Sequence, residues 1–159
     1  MVQPASVQRV ADAARDLGLA IEIREFPEGT RTAEDAAKAI GVSVAQIVKT
    51  LVFVADGRPV ICFVSGPNRL DTARLAAATS AAEVRRANAD EVREATGFAV
   101  GGVPPFGHAT PVHAYCDPDL LQYDAVWAAA GTLMTVFAIH PQELVRACSA
   151  TVTDLKETN

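Results

Sequence analysis

Two stretches of the chain hold residues whose types and spacing could do chemistry. The first is Ile47-Val48-Lys49-Thr50-Leu51-Val52-Phe53-Val54, the most apolar run in the first half of the sequence. Read as a strand, it places Ile47, Lys49, Leu51 and Phe53 on one face, because side chains alternate along extended backbone. Lys49 is then a cation on an apolar face. Burying an unpaired ammonium is costly. Such a lysine either snorkels to water from a strand end or sits at a pocket rim, where it can meet an anionic or carbonyl group. The chain has only three lysines, and Lys38 and Lys156 lie in polar surroundings. Thr50 falls on the opposite face by parity and is a further candidate pocket residue.

The second stretch is Gly101-Gly102-Val103-Pro104-Pro105-Phe106-Gly107-His108. Two glycines allow backbone angles closed to other residues and let a ligand approach the main chain. Two prolines stiffen the segment. Such a loop can aim N–H groups at a substrate carbonyl, as an oxyanion hole requires; its composition equally suits a rigid surface crossover. His108 reads either as a proton carrier or as a loop histidine without a catalytic part.

Other chemistries find little support. His108, His113 and His140 lack metal-ligand spacing, so no metal is expected. Cys62, Cys116 and Cys148 form no CxxC pair and sit in apolar stretches, as buried free thiols of a reducing compartment would. Neither a Ser-His-Asp nor a Cys-His pattern stands out, and no GxGxxG or GxxxxGK[ST] motif occurs, so no nucleotide cofactor is expected.

The elements that must position these residues follow from periodicity. Ser6 to Leu17 is helical in pattern and ends at Gly18; Ala20 to Phe26 alternates as a strand. Thr32 caps a helix with first-turn acids Glu34 and Asp35, running to Ile40 and stopping at Gly41. Ser43 caps a short helix over Val44 to Val48. Lys49 to Ala55 and Pro59 to Ser65 form a hairpin around Asp56-Gly57. Helices follow from Asp71 to Ala78 and from Ala89 to Ala95. After the loop Val100 to Thr110 come a strand over Pro111 to Cys116 and a helical turn at Asp117-Pro118-Asp119. A second hairpin spans Ala125 to Ala130 and Leu133 to Ile139. A helix opened by Pro141 runs to Cys148, and a last short strand covers Ala150 to Asp154. Hairpins mixed with helices, without regular βαβ alternation, predict an α+β fold with a mixed, strongly curved sheet.

The 159 residues suit one domain over 1–159, and 50% hydrophobic with 21% charged residues is an ordinary globular balance. No signal-peptide pattern or membrane-length apolar run is present, so a cytoplasmic protein with no membrane association is expected. The net charge of −5 argues against a general nucleic-acid binder such as a DNA-binding protein. Yet twelve of the fourteen Lys and Arg residues lie between Arg9 and Arg93. A local basic surface would touch few phosphates, giving weak, salt-sensitive binding.

Taken together, the two stretches resemble the YbaK/EbsC-type family of aminoacyl-tRNA deacylases, the prolyl-tRNA-synthetase-associated editing domains. Thr32-Ala33-Glu34-Asp35-Ala36-Ala37 with Ile40-Gly41-Val42 is similar to the family's helix before the lysine. Ile47 to Phe53 is similar to its lysine strand, and Thr96-Gly97-Phe98 with Gly101-Gly102-Val103-Pro104-Pro105 to its GxxxP loop. Val126 to Gly131 and Pro141-Gln142-Glu143-Leu144 follow in order. The resemblance implies mixed strands curled into a partial barrel with helices around it. It implies hydrolysis of the ester joining an amino acid to the 3′ end of a mischarged tRNA, with no cofactor. Lys49 takes the place of the functional lysine. Gly101, Gly102, Val103 and Pro105 take that of the substrate loop, with Thr50 and His108 as neighbouring candidates. An aminoacyl-tRNA synthetase is the implied further partner, and the chain is expected to act as a monomer or homodimer. Members acting on cysteinyl-tRNA commonly carry serine where this chain has Pro104, which sets it apart from them. The competing readings are a non-catalytic module that binds tRNA ends or a protein on the same fold, and a hydrolase of another small acyl ester.

Overall fold

The computed structural model describes residues 4–158; residues 1–3, where the polar N-terminal stretch begins, and residue 159 lie outside it. Strands β1 (Ile23–Glu25), β2 (Val48–Ala55) and β3 (Arg58–Ser65) come first, with β2 and β3 paired along their whole length. Asp56 and Gly57 between them have φ of 48° and 81°. Two positive φ angles match the right-handed twist of the flanking strands, which is why Asp-Gly selects this turn. The Asp56 carboxylate accepts backbone N–H bonds from Ala82 and Glu83, and those bonds hold it below the usual carboxylate range.

This contact anchors β4 (Val84–Arg86), a strand the sequence reading did not anticipate. Three residues ending in two arginines offer no alternation to find. β4 pairs with β2 only from Phe53 to Ala55. β5 (His113–Cys116) runs parallel to β3, and β6 (Val126–Ala129), β7 (Thr135–Ile139) and β8 (Thr151–Val152) complete the set. The strands form a five-stranded sheet of order β4-β2-β3-β5-β8 and an antiparallel three-stranded sheet of order β1-β7-β6. Neither closes into a barrel; an isolated parallel bridge between Ile47 and Trp127 joins their neighbouring strands. The mixed α+β class is as expected.

The helices are α1 (Ala5–Asp16), α2 (Ala33–Ile40), α3 (Thr72–Thr79), α4 (Ala89–Thr96) and α5 (Pro141–Cys148), with 3-10 turns at Val44–Gln46 and Pro118–Gln122. Caps fall where the sequence signals them. Thr32 Oγ1 accepts the Asp35 N–H at 3.0 Å, and Gly41 ends α2 in the left-handed conformation. The expected helix over Val44 to Val48 is only one 3-10 turn, closed by a Ser43/Gln46 capping box. Val48 already begins β2, because a β-branched residue packs better on a pleated surface. The strand expected from Leu133 begins at Thr135. The carbonyls of Leu133 and Met134 instead accept N–H bonds from Thr30 and Phe26.

The two faces of β2 meet different cores. Val48 and Val52 join the main cluster with Phe63, Phe98, Val103, Phe137 and Leu144. Phe53, with Leu51 partly buried beside it, joins Cys62, Val64, Leu75 and Leu155 on the other face. Each fully buried large side chain stabilises by about 1.5–3 kcal/mol. Cys62 and Cys116 are buried and Cys148 half-buried; burial pushes all three thiols up to about 12. Among the described residues no helix is long and apolar enough to cross a membrane.

Candidate active site

A cavity of about 440 Å³ is lined by β2, the start of α2, the segment Val100 to Val103, and Trp127, Ala128 and Ala129 of β6. Strand pairing explains its place. β3 takes one edge of β2, while the other edge meets Trp127 at Ile47 and β4 from Phe53 onward. Between those contacts, Lys49 to Leu51 form an edge with no strand partner among the described residues. Residues of both parities can therefore line the cavity, and Lys49 and Thr50 both do.

Lys49 is half-buried, and its Nζ donates to the Asn68 carbonyl. Desolvation is the main cause holding its pKa below the ordinary lysine value; Arg86 and Arg69 add to the lowering, while Glu34 and Asp117 oppose it. Asn68 is itself fixed. Its Nδ2 donates at 2.8 Å to Asp117, a fully buried carboxylate, and at 2.8 Å to Asp119. Asp117 also accepts the Ser65 N–H at 3.1 Å and the Asp119 N–H at 2.9 Å. A buried carboxylate is tolerated when its lone pairs are satisfied in this way. Lys156 Nζ closes the network on Asp119 at 2.8 Å.

Thr50 Oγ1 is buried beside the cavity without a hydrogen-bond partner among the described residues. The rest of the inner lining is small and apolar: Val48, Val52, Val92, Val103, Ala128 and Val136. Arg31 and Arg86 add positive charge, and Glu34 is the one acid among the described lining residues.

The glycine–proline loop enters through a tight turn. Gly102 N–H donates to the Ala99 carbonyl at 3.0 Å, and Gly101 between them has φ of 89°. That is a four-residue turn with its third residue in a conformation favouring glycine. A Cβ at Gly101 would run into the Leu133 side chain, and one at Gly102 would meet the Thr132 backbone at 2.9 Å. The Gly102 N–H is thus committed inside the turn. Among the described residues the N–H groups of Gly101 and Val103, both in the lining, have no acceptor.

Of the residues singled out from sequence, Lys49, Thr50, Gly101 and Val103 meet at this cavity. Gly102 and Pro105 are buried in the loop and do not line it. His108 lines a separate cavity with Ala13, Leu17 and Cys148. There its Nε2–H donates to the Pro104 carbonyl at 2.7 Å, and Cys148 Sγ lies 3.2 Å from the Pro105 carbonyl. Both side chains hold the loop from behind, and burial lowers the His108 pKa. The sequence reading missed Arg31, Glu34, Asn68, Arg86, Asp117 and Trp127. Glu34 and Trp127 lie in segments that carry the family resemblance and Asp117 starts a helical turn, but none was singled out as a site residue; Arg31, Asn68 and Arg86 had no local signal.

Known proteins match this chain on both sequence and structure. Residues 27–147 match the family described as the aminoacyl-tRNA editing domain. The Bacillus subtilis (strain 168) protein YwhH, itself uncharacterised, is 35% identical over 124 residues, covering 77% of this chain and 78% of its own. A proline–tRNA ligase of Citrifermentans bemidjiense is 38% identical over 92 residues, which are 58% of this chain but 16% of the ligase. The crystal structure of a protein proposed to be a trans-editing enzyme for prolyl tRNA synthetase superimposes with a TM-score of 0.94 at 46% identity, covering 99% of this chain and all of that one. Matched over most of its length in sequence and nearly all of it in structure, the chain belongs to the aminoacyl-tRNA editing domain family.

Proposed function

We propose that this protein is a trans-editing aminoacyl-tRNA deacylase: it hydrolyses the ester of a mischarged tRNA to a free amino acid and a tRNA with its 3′-terminal hydroxyl restored. The observation that carries this reading is the convergence of Lys49 and the Gly101 turn on one small cavity in a chain of the editing family. The family provides a reason for such a site. A synthetase pocket gains only ~1–3 kcal/mol per methylene, so near-isosteric amino acids escape its first selection and are removed elsewhere.

The chemistry asked of the site is modest, since an aminoacyl ester is already activated. Lys49, Arg31 and Arg86 hold phosphates of the 3′-terminal nucleotides by charge, one each, with Lys49 also placed to meet the ester carbonyl. The Gly101 and Val103 N–H groups steady the oxyanion of the tetrahedral intermediate. The small apolar lining takes the amino-acid side chain, and Thr50 offers its hydroxyl. Water attacks the ester carbonyl and the ribose oxygen of the tRNA end leaves with a proton, so no protein nucleophile is required. In this reading the two sheets act as one curved surface, a partial barrel, in a single domain over 1–159 that works in the cytoplasm. The solved neighbour makes tRNA for proline the first to test, with prolyl-tRNA synthetase as the partner that supplies it.

The experiment is deacylation of tRNA for proline mischarged with Ala, Ser, Thr or Cys, by the wild type and by Lys49→Ala. At least one substrate is expected to turn over, and the variant is expected to lose at least 100-fold in kcat/KM. Tight binding of tRNA with no turnover on any member would favour the non-catalytic module instead.

A further inference from the structure

We infer that Glu34 is the specificity residue that recognises the free α-ammonium of the amino acid being edited; this rests on the deacylase reading above. Any aminoacyl-tRNA end carries charge of two signs. Phosphodiesters lie on the nucleotide side, and a protonated amine lies one carbon from the scissile carbonyl. The cavity is built with the same polarity. Arg31, Lys49 and Arg86 are its cations, and Glu34 is the one acid among its described lining residues.

Glu34 is also free to take a cation. Among the described residues its carboxylate makes no hydrogen bond and no ion pair, although Lys49 lines the same cavity and senses its charge. The Lys49 ammonium donates instead to the Asn68 carbonyl. Asn68 in turn is held by the buried Asp117. The network that places Lys49 therefore leaves Glu34 unneutralised at the cavity. α2 supports the position from the other side: Thr32 caps it, and Glu34 stands in its first turn. A first-turn carboxylate also favours the helix by itself through the helix dipole. That purely structural part is what the test must separate.

Removing the charge from each partner in turn does so. Wild type and Glu34→Gln are assayed on the aminoacyl-tRNA that the wild type hydrolyses, with its amine free and with the same amine acetylated. An exposed carboxylate–ammonium pair contributes at most about fivefold. Glu34→Gln is therefore expected to raise KM by about two- to fivefold on the free-amine substrate, with kcat little changed. On the acetylated substrate the two proteins are expected to have the same kcat/KM. An equal loss on both substrates would assign Glu34 to helix stability alone and overturn the inference, as would a wild type indifferent to acetylation. No turnover by the wild type on any aminoacyl-tRNA removes the deacylase reading itself and this inference with it.

Discussion

Thr50 and Lys49 are adjacent and on opposite faces of β2, and each is poorly suited to its surroundings in a way that stability measurements can detect. The Thr50 hydroxyl is buried without a partner among the described residues. A buried unsatisfied polar group costs roughly 1–3 kcal/mol, and an isosteric apolar replacement recovers part of that. Thr50→Val is expected to stabilise the fold by about 1 kcal/mol in chemical denaturation while lowering deacylation. A destabilised variant would mean that the hydroxyl has a partner in solution. Lys49 has a folded-state pKa below its ordinary 10.5, with desolvation as the main cause. The unfolded chain then binds the proton more tightly than the folded one, so this residue's contribution to stability rises with pH as pH climbs through the folded value toward 10.5. Lys49→Met removes that contribution. The difference between wild type and variant in unfolding free energy, measured from neutral pH to about pH 10, is expected to shift in favour of the wild type as pH rises. A flat difference would place the ammonium in water.

At the scale of elements, the glycine–proline loop and the β6–β7 hairpin fit each other through two glycines with different constraints. At Gly102 an added Cβ meets backbone, at 2.9 Å from Thr132. At Gly101 it meets the movable end of Leu133, and the strain comes from φ of 89°. Overpacking against fixed backbone costs about 1–3 kcal/mol, whereas a side chain at a positive φ costs about 1–2 kcal/mol and the Leu133 end can swing aside. Gly102→Ala is therefore expected to lower the melting temperature more than Gly101→Ala. Thermal unfolding of the two variants ranks them, and the opposite order would show that the hairpin yields. Gly101→Ala should retain more fold and lose more activity, because Gly101 lines the cavity and Gly102 does not.

For the whole molecule, the question is how a chain of net charge −5 holds a polyanion. Three cations line the cavity, Arg31, Lys49 and Arg86. With three phosphate contacts and about 0.7 counterions released per contact on a single strand, log(1/KM) should fall with log salt at a slope of about −2. Steady-state kinetics across a salt series measures this. A slope several times steeper would mean that a much larger surface engages the tRNA body. The shallow expectation fits an enzyme that grips only the acceptor end and relies on the cavity for selection.

The amino-acid sequence by itself determined the local parts of this protein. Caps at Thr32 and Ser43, the stop at Gly41, and the Asp56-Gly57 hairpin are set by backbone preferences within a few residues, and the structure has them all. Lys49 was conspicuous because alternation alone puts a cation on an apolar face. Only the tertiary structure decided what surrounds it. β4 pairs for just three residues and leaves the edge of β2 open, which admits Thr50 to the same cavity despite its parity. Asn68 reaches Lys49 from 19 residues away, Asp117 holds Asn68 from 49 residues away, and Glu34 arrives on a separate helix. The loop was legible as a rigid backbone segment. Which N–H groups it leaves without an acceptor among the described residues, Gly101 and Val103 rather than Gly102, depended on a turn to Ala99, and His108 turned out to hold the loop from the far side. Such contacts join residues distant in sequence, so no periodicity or motif announces them; they exist only once packing has brought the elements together.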